Sequence, residues 1–191
     1  MSRPEESFRI STHDYLQGEL SSDARHEYVN GHVYAMVGAS DTHNLIAQNV
    51  TFALRQHLRG GPCQVFISDM KARIRTRQDD VFYYPDVLVS CAGDDRERYF
   101  RERAKLVVEV LSENTERFDR EGKFGFCRQL DTLDEYVLVA QDSRRVEIYR
   151  RSQKWKPEFH TGDASFHIES VDLPLTLDEV YEGVSLDSRP R

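Results

Sequence analysis

The chain reads as an α/β domain of mixed α+β order, a β-sheet with helices packed against it. Three observations carry that reading. Stretches with helical spacing alternate with short strand-like runs along the whole length. A chain of 191 residues with 39% hydrophobic and 31% charged content has ordinary globular usage and is long enough to bury one full core. Finally, no internal repeat, low-complexity tract or linker divides it. A single domain over residues 1–191 is therefore expected.

The elements follow in order. Ser11 to Glu19 reads as a short capped helix. Arg25 to Met36 (RHEYVNGHVYAM) reads as two short strands around Asn30-Gly31, a dipeptide suited to a tight hairpin turn. From Asp41, taken as the N-cap, Leu45, Ile46, Val50, Ala53, Leu54 and Leu58 recur at helical spacing until Gly60-Gly61-Pro62 ends the helix. Strand signals then cover Cys63 to Ile67, Lys71 to Ile74, Asp86 to Ser90 and Lys105 to Val110, with a charged loop from Asp94 to Arg103 before the last. A second helix is expected from Glu116 to Leu130. Glu135 to Ala140, Arg144 to Tyr149 and Lys154 to His160 form a predicted meander, and Thr176-Leu177-Asp178-Glu179 has the form of a capping box that opens a short C-terminal helix.

Composition narrows the function classes. Met1 to Glu6 carries charge where a signal peptide needs an apolar stretch, and no apolar run approaches the ~20 residues of a membrane helix, so a soluble, cytoplasmic protein without a membrane partner is expected. Cys63, Cys91 and Cys127 are odd in number and widely spaced, which fits reduced, core-filling thiols rather than a disulfide framework or zinc site. None lies in a recognisable nucleophile setting, which disfavours cysteine hydrolase chemistry. A formal charge of -7 means that any nucleic-acid binding must use a local patch.

Two stretches carry the chemistry. In Tyr84-Pro85-Asp86-Val87-Leu88-Val89 a carboxylate sits at the mouth of an apolar strand, where proline is tolerated because no ladder donor is needed. In Leu106-Val107-Val108-Glu109-Val110-Leu111 one acid interrupts a strand that should be buried on both faces. If these strands pair antiparallel, Asp86 comes to lie near Glu109. Facing carboxylates repel, so either one takes up a proton or a cation joins them, and hard oxygen donors favour Mg²⁺ or Mn²⁺. The plainer alternative is that Asp86 caps a turn and Glu109 pairs with a lysine or arginine. Each acid alone favours that alternative; their joint order and context favour the cation. On the second helix, Asp119 and Lys123 fall beside the stripe of Phe118, Gly122, Phe126 and Leu130, so Lys123 points towards the sheet or forms a surface pair with Asp119.

These residues resemble the Uma2 family of the PD-(D/E)XK nuclease superfamily over nearly the whole chain. The landmarks are Arg25-His26-Glu27-Tyr28-Val29-Asn30-Gly31, Thr42-His43-Asn44, Tyr84-Pro85-Asp86, Val108-Glu109-Val110-Leu111-Ser112 and Asp119-Arg120-Glu121-Gly122-Lys123. The resemblance implies a restriction endonuclease-like core with a mixed β-sheet flanked by α-helices. It also implies a Mg²⁺- or Mn²⁺-dependent endonuclease acting on nucleic acid, with DNA the expected substrate. Asp86 and Glu109 would bind the metal, Lys123 would act in catalysis, and Glu27 would supply a further acid. Two positions depart from the pattern: Leu111 occupies the lysine position of the superfamily's E-x-K motif, so the lysine function must pass to Lys123, and Cys127 stands where relatives often have tyrosine. The competing reading is a catalytically silent nuclease fold that serves as a binding or assembly module.

Other residues are weighed more simply. His43 and Asn44 sit in the first turn of the Asp41 helix, where capping is preferred over a phosphate contact. His13, His26, His32, His57, His160 and His167 show no close metal-ligand spacing and are expected at the surface. Arg73, Arg75 and Arg77, or Arg96, Arg98, Arg101 and Arg103, would supply a phosphate-binding patch, unless the neighbouring acids neutralise them. A homodimer that combines two arginine loops is expected.

Overall fold

The computed structural model describes residues 9–95 and 97–186, so Met1 to Glu6 and Arg96 lie outside the described residues. The strands are β1 (His26–Val29), β2 (His32–Ala35), β3 (Gln64–Ile67), β4 (Lys71–Arg75), β5 (Asp80–Tyr83), β6 (Val87–Ser90) and β7 (Phe100–Arg101), followed by β8 (Leu106–Leu111), β9 (Glu135–Ala140), β10 (Arg145–Arg150), β11 (Pro157–Thr161), β12 (Ser165–Ile168) and β13 (Leu173–Thr176). They build a five-stranded sheet in the order β2-β1-β5-β4-β7, a six-stranded sheet in the order β11-β10-β9-β8-β6-β3, and a small β12-β13 pair. Both larger sheets are mixed, since β4 pairs with β7 and β8 with β9 in parallel while the other pairings are antiparallel.

The β1-β2 hairpin turns at Asn30 (φ 50°) and Gly31 (φ 97°), both left-handed, so the loop twist matches the strands it joins. Helix α1 (Thr12–Glu19) sends Tyr15 onto Tyr28 and Phe82, on one face of the five-stranded sheet. On the opposite face Ala72, Ile74, Val81 and Tyr83 pack with Leu88, Val107, Leu111, Tyr136 and Leu138 of the six-stranded sheet. A helical segment closes that layer through Phe124 and Cys127; it consists of α3 (Glu116–Phe118), a π-helical turn (Asp119–Lys123) and α4 (Phe124–Cys127). The far face of the six-stranded sheet, with Val87, Val89, Val108, Val110, Val137 and Ile148, is covered by α2 (Asp41–His57), the β12-β13 pair and α5 (Leu177–Val180). Strand β8 is buried at every residue, as its aliphatic sequence predicts for a strand covered on both sides.

Several expectations are corrected. Ser40, not Asp41, caps α2, its Oγ accepting the His43 N–H at 3.1 Å. Strands β5, β7, β12 and β13 are additional to the expected strands, and β7 lies inside the charged stretch from Asp94 to Arg103. The second helix ends at Cys127, and a π turn interrupts it. The last meander strand starts at Pro157 because Lys154 (φ 56°) and Trp155 (φ 61°) adopt left-handed backbone. The thiol assignment also changes: Cys63 and Cys91 form a disulfide, and only Cys127 is a free, buried thiol. The two bonded residues flank the Gln64↔Ser90 pair of neighbouring β3 and β6, so strand register brings together cysteines that sequence spacing keeps apart. The capping box at Thr176 and Glu179 is present as expected.

Candidate active site

The site is assembled by strand register. Antiparallel pairing of β6 with β8 sets Val87 opposite Val108, so Asp86 and Glu109 fall opposite each other one residue further on. The Asp86 N–H donates to Glu109 Oε2 at 3.3 Å, and Asp86 Oδ2 accepts the Val110 N–H at 2.7 Å. Each acid is thus held by the other's strand. Glu109 is only 2% exposed.

The π turn supplies the cation. Both Asp119 and Lys123 are buried in it, and the Lys123 ammonium lies 3.0 Å from Glu109 Oε1, 3.3 Å from Glu27 Oε1 and 3.2 Å from the Tyr84 carbonyl to which it donates. Glu27 Oε1 also accepts the Tyr84 N–H at 3.3 Å. The sequence placed Lys123 either towards the sheet or on the surface; it points towards the sheet, at Glu109 and Glu27. Leu111, at the E-x-K lysine position, is 4% exposed and packs in the core between the sheets, where an ammonium would have no partner.

His43, assigned to capping from sequence, reaches the site from the first turn of α2, with Nε2 3.1 Å from Asp86 Oδ2. The signal that marked it was its place in an exposed helix start; its partner lies on a distant strand and is invisible locally. Asp119 was likewise weighed only as half of a surface pair. The other histidines stay outside the cluster. His26 pairs with Glu19, His160 with Glu158 and His167 with Asp172.

The electrostatics follow from burial and crowding. Burial pushes the Glu109 carboxyl well above the usual carboxylate range, Asp86 and Asp119 push it further, and Lys123 pulls it back without prevailing. Asp119 is raised for the same reasons, burial first. For Lys123, burial opposes the charge, but Glu109, Glu27, Asp119 and Asp86 together outweigh it and raise the ammonium above its ordinary value. His43 is raised too: burial lowers it, and Asp86, Asp119 and a hydrogen bond to the Val110 backbone more than compensate. Acids outnumber cations here. Glu109 Oε1, although within ion-pair distance of Lys123, has no aligned hydrogen-bond donor among the described residues.

Among the described residues of the two arginine groups, Arg77 and Arg98 are exposed without an acidic partner, and the others are committed. Arg73 and Arg75 pair with Glu102, Arg73 also with Asp80, and Arg103 with Asp94. Arg101 is buried with its guanidinium 4.7 Å over the Phe66 ring. Of the two readings of this loop, a phosphate-binding patch or a solvated face, buried Arg101 fits neither.

The two mixed sheets, with acids and a lysine at their junction, form a mixed α+β fold. A solved structure from Anabaena variabilis ATCC 29413, described as "a putative nuclease belonging to DUF820", superposes with a TM-score of 0.76 over 92% of this chain and 99% of that chain, at 15% identity. Residues 12–178 match the model of the Uma2 family, described as "Putative restriction endonuclease", and the chain belongs to that family. Two Synechocystis sp. proteins are similar to it. One, slr1290, is 33% identical over 93% of this chain and 94% of the relative; the other, sll1609, is 31% identical over 74% and 81%. No described helix is long and apolar enough to cross a membrane.

Proposed function

We propose that the protein is a Mg²⁺- or Mn²⁺-dependent endonuclease that hydrolyses phosphodiester bonds in nucleic acid, with DNA as substrate. The observation that carries this reading is the β6-β8 register, which sets Asp86 against Glu109 in a buried cluster whose acids exceed its cations. Asp86 and Glu109 would hold the metal. Their donor set suits it, because Mg²⁺ takes one or two carboxylates and keeps several waters, and Glu109 Oε1 is buried without an aligned donor. Among the described residues no group of three His, Cys, Asp or Glu side chains is placed to hold a metal, which disfavours an all-protein cage of the structural zinc kind. When bound, the cation would polarise the scissile phosphate and acidify a water.

The chain's own residues do the rest. Glu27 and the Tyr84 carbonyl fix the Lys123 ammonium beside Glu109. There it would offset charge growing on a phosphate oxygen and orient the attacking water. The Val110 N–H and His43 fix the orientation of the Asp86 carboxylate. The buried position of Glu109 excludes bulk water and strengthens each of these interactions.

One observation favours the alternative of a catalytically silent binding module: the Lys123 ammonium already stands 3.0 Å from Glu109 Oε1, on the oxygen a metal would use. A metal-dependence assay on plasmid and oligonucleotide substrates decides between them. Glu109→Gln is expected to abolish Mg²⁺-dependent cleavage with an unchanged near-UV circular dichroism spectrum. A wild-type protein that neither cleaves nor binds Mg²⁺ or Mn²⁺ by calorimetry would leave the silent module standing.

A further inference from the structure

We infer that Tyr34 and Phe118 form an aromatic platform beside the site that stacks an unpaired nucleobase, which makes single-stranded nucleic acid the preferred form of substrate. The inference rests on the nuclease reading above and adds the substrate's strandedness. The geometry is set by register. Glu27 pairs with Tyr34 across β1 and β2, and Tyr28 with Phe82 across β1 and β5, which sets Glu27 opposite Tyr83 one residue on. Tyr34, Glu27 and Tyr83 therefore stand abreast on one face of the five-stranded sheet.

Phe118 approaches from the helical segment, its ring 5.6 Å from Tyr83 and edge-to-face with it. The Tyr83 ring in turn lies 5.7 Å from the Lys123 ammonium. Tyr34 and Phe118 are thus each one side chain removed from Lys123, Tyr34 by way of Glu27 and Phe118 by way of Tyr83. Both rings are open to solvent, at 55% and 42% exposure, as Phe52, Tyr99 and Phe159 are elsewhere, but these two flank the site. An open cleft lined by Asn114, Arg117, Phe118, Glu121 and Gly122 adjoins the second ring. Gly122 shapes it: a Cβ there would meet Phe118 Cδ2 at 2.8 Å, so the ring lies against bare helix backbone.

Charge argues for bases over phosphates as the source of affinity. The chain carries a net -7, and Arg73, Arg75 and Arg103 are already paired with acids. A duplex offers mainly its phosphates to such a surface, whereas an unpaired base offers a π-face that stacks on Tyr or Phe without needing a basic groove.

The test is fluorescence anisotropy with a fluorescein-labelled single-stranded DNA of mixed sequence, in EDTA so that binding is read without cleavage. Tyr34→Ala and Phe118→Ala are each expected to weaken binding by about ten- to a hundredfold, while Tyr34→Phe and Phe118→Tyr bind like wild type. Phe118→Leu, which keeps apolar packing against Tyr83, is expected to behave as the alanine variant. A strand with abasic central nucleotides keeps its phosphates and should bind wild type as weakly as the intact strand binds the alanine variants. Wild-type affinity in the alanine variants, equal binding of abasic and intact strands, tighter binding of duplex, or no binding by wild type would each overturn the inference. Cleavage in Mg²⁺ separates the two readings. Aromatic-dependent binding without cleavage removes the nuclease and leaves the platform. Cleavage of duplex plasmid at the wild-type rate by both alanine variants does the reverse.

Discussion

Glu109 and Glu135 stand on the neighbouring parallel strands β8 and β9, and both are almost wholly withdrawn from water, at 2% and 1% exposure. Their surroundings are opposite in kind. Glu135 accepts from Arg150 Nε at 2.8 Å and from the backbone N–H groups of Glu169 and Ser170 at 3.2 and 2.7 Å. Arg150 donates onward to Glu158 and to the His167 carbonyl. That cluster joins β9 and β10 to β11 and β12; its one guanidinium also serves three acids, Glu135, Glu158 and Glu169, but both Glu135 oxygens have aligned donors. Around Glu109 one ammonium serves several acids too, but Oε1 has no aligned donor among the described residues. A matched buried cluster holds a fold together, while a mismatched one carries a cost that a bound cation would relieve. Glu147 on β10 belongs to the first kind, since Arg120 grips it with both terminal nitrogens.

This difference can be broken from either side. Arg150→Ala should have the largest effect on stability, about 3–5 kcal/mol by urea denaturation, because it leaves Glu135 charged and buried without its partner. A loss under 1 kcal/mol would show that the matched cluster contributes nothing to the fold. Lys123→Ala strips the one ammonium from the acidic cluster, so it should lower the melting temperature in EDTA, and Mg²⁺ should raise the melting temperature of the variant more than that of wild type. An equal response to Mg²⁺ would count against Asp86 and Glu109 as its ligands.

Smaller effects sharpen the sign. The Glu109 pKa is raised in the folded state, so the folded protein holds a proton that the unfolded chain has released. In EDTA, stability should therefore fall as pH rises from the ordinary carboxylate range towards that raised value. Glu109→Gln should remove this slope and be neutral or stabilising by about 1 kcal/mol near neutral pH. The half-buried Asp80 behaves oppositely: burial tends to raise it, but Arg73 prevails and lowers it. Its contribution should be present above the ordinary aspartate range and lost as pH falls through the depressed folded value. Asp80→Asn should cost no more than about 1 kcal/mol at neutral pH and flatten only the acid limb. Acid melts of both variants that shift in the same direction would contradict the contrast.

Local pattern was enough to find much of this molecule. The Asn30-Gly31 turn demanded left-handed backbone, the apolar spacing from Leu45 to Leu58 demanded a helix, and the aliphatic run around Glu109 demanded a strand covered on both faces. These are properties of neighbouring residues, and the chain obeys them wherever it sits. Asp86 and Glu109 were legible as a pair for the same reason, since two apolar strands close in sequence have few ways to meet. What the tertiary structure alone decided involves partners from distant elements. Glu109 and Glu147 each interrupt an apolar strand and Glu135 opens one, and nothing local tells which of them receives a matched arginine. His43 became a partner of Asp86 only once α2 was laid beside β6. Cys63 met Cys91 through the register of β3 against β6. Arg101 was drawn inward over Phe66, although it lies in a charge-rich stretch between Asp94 and Arg103. Periodicity specifies which face of an element is buried, whereas the compensation of a buried charge depends on which side chains other elements bring to it.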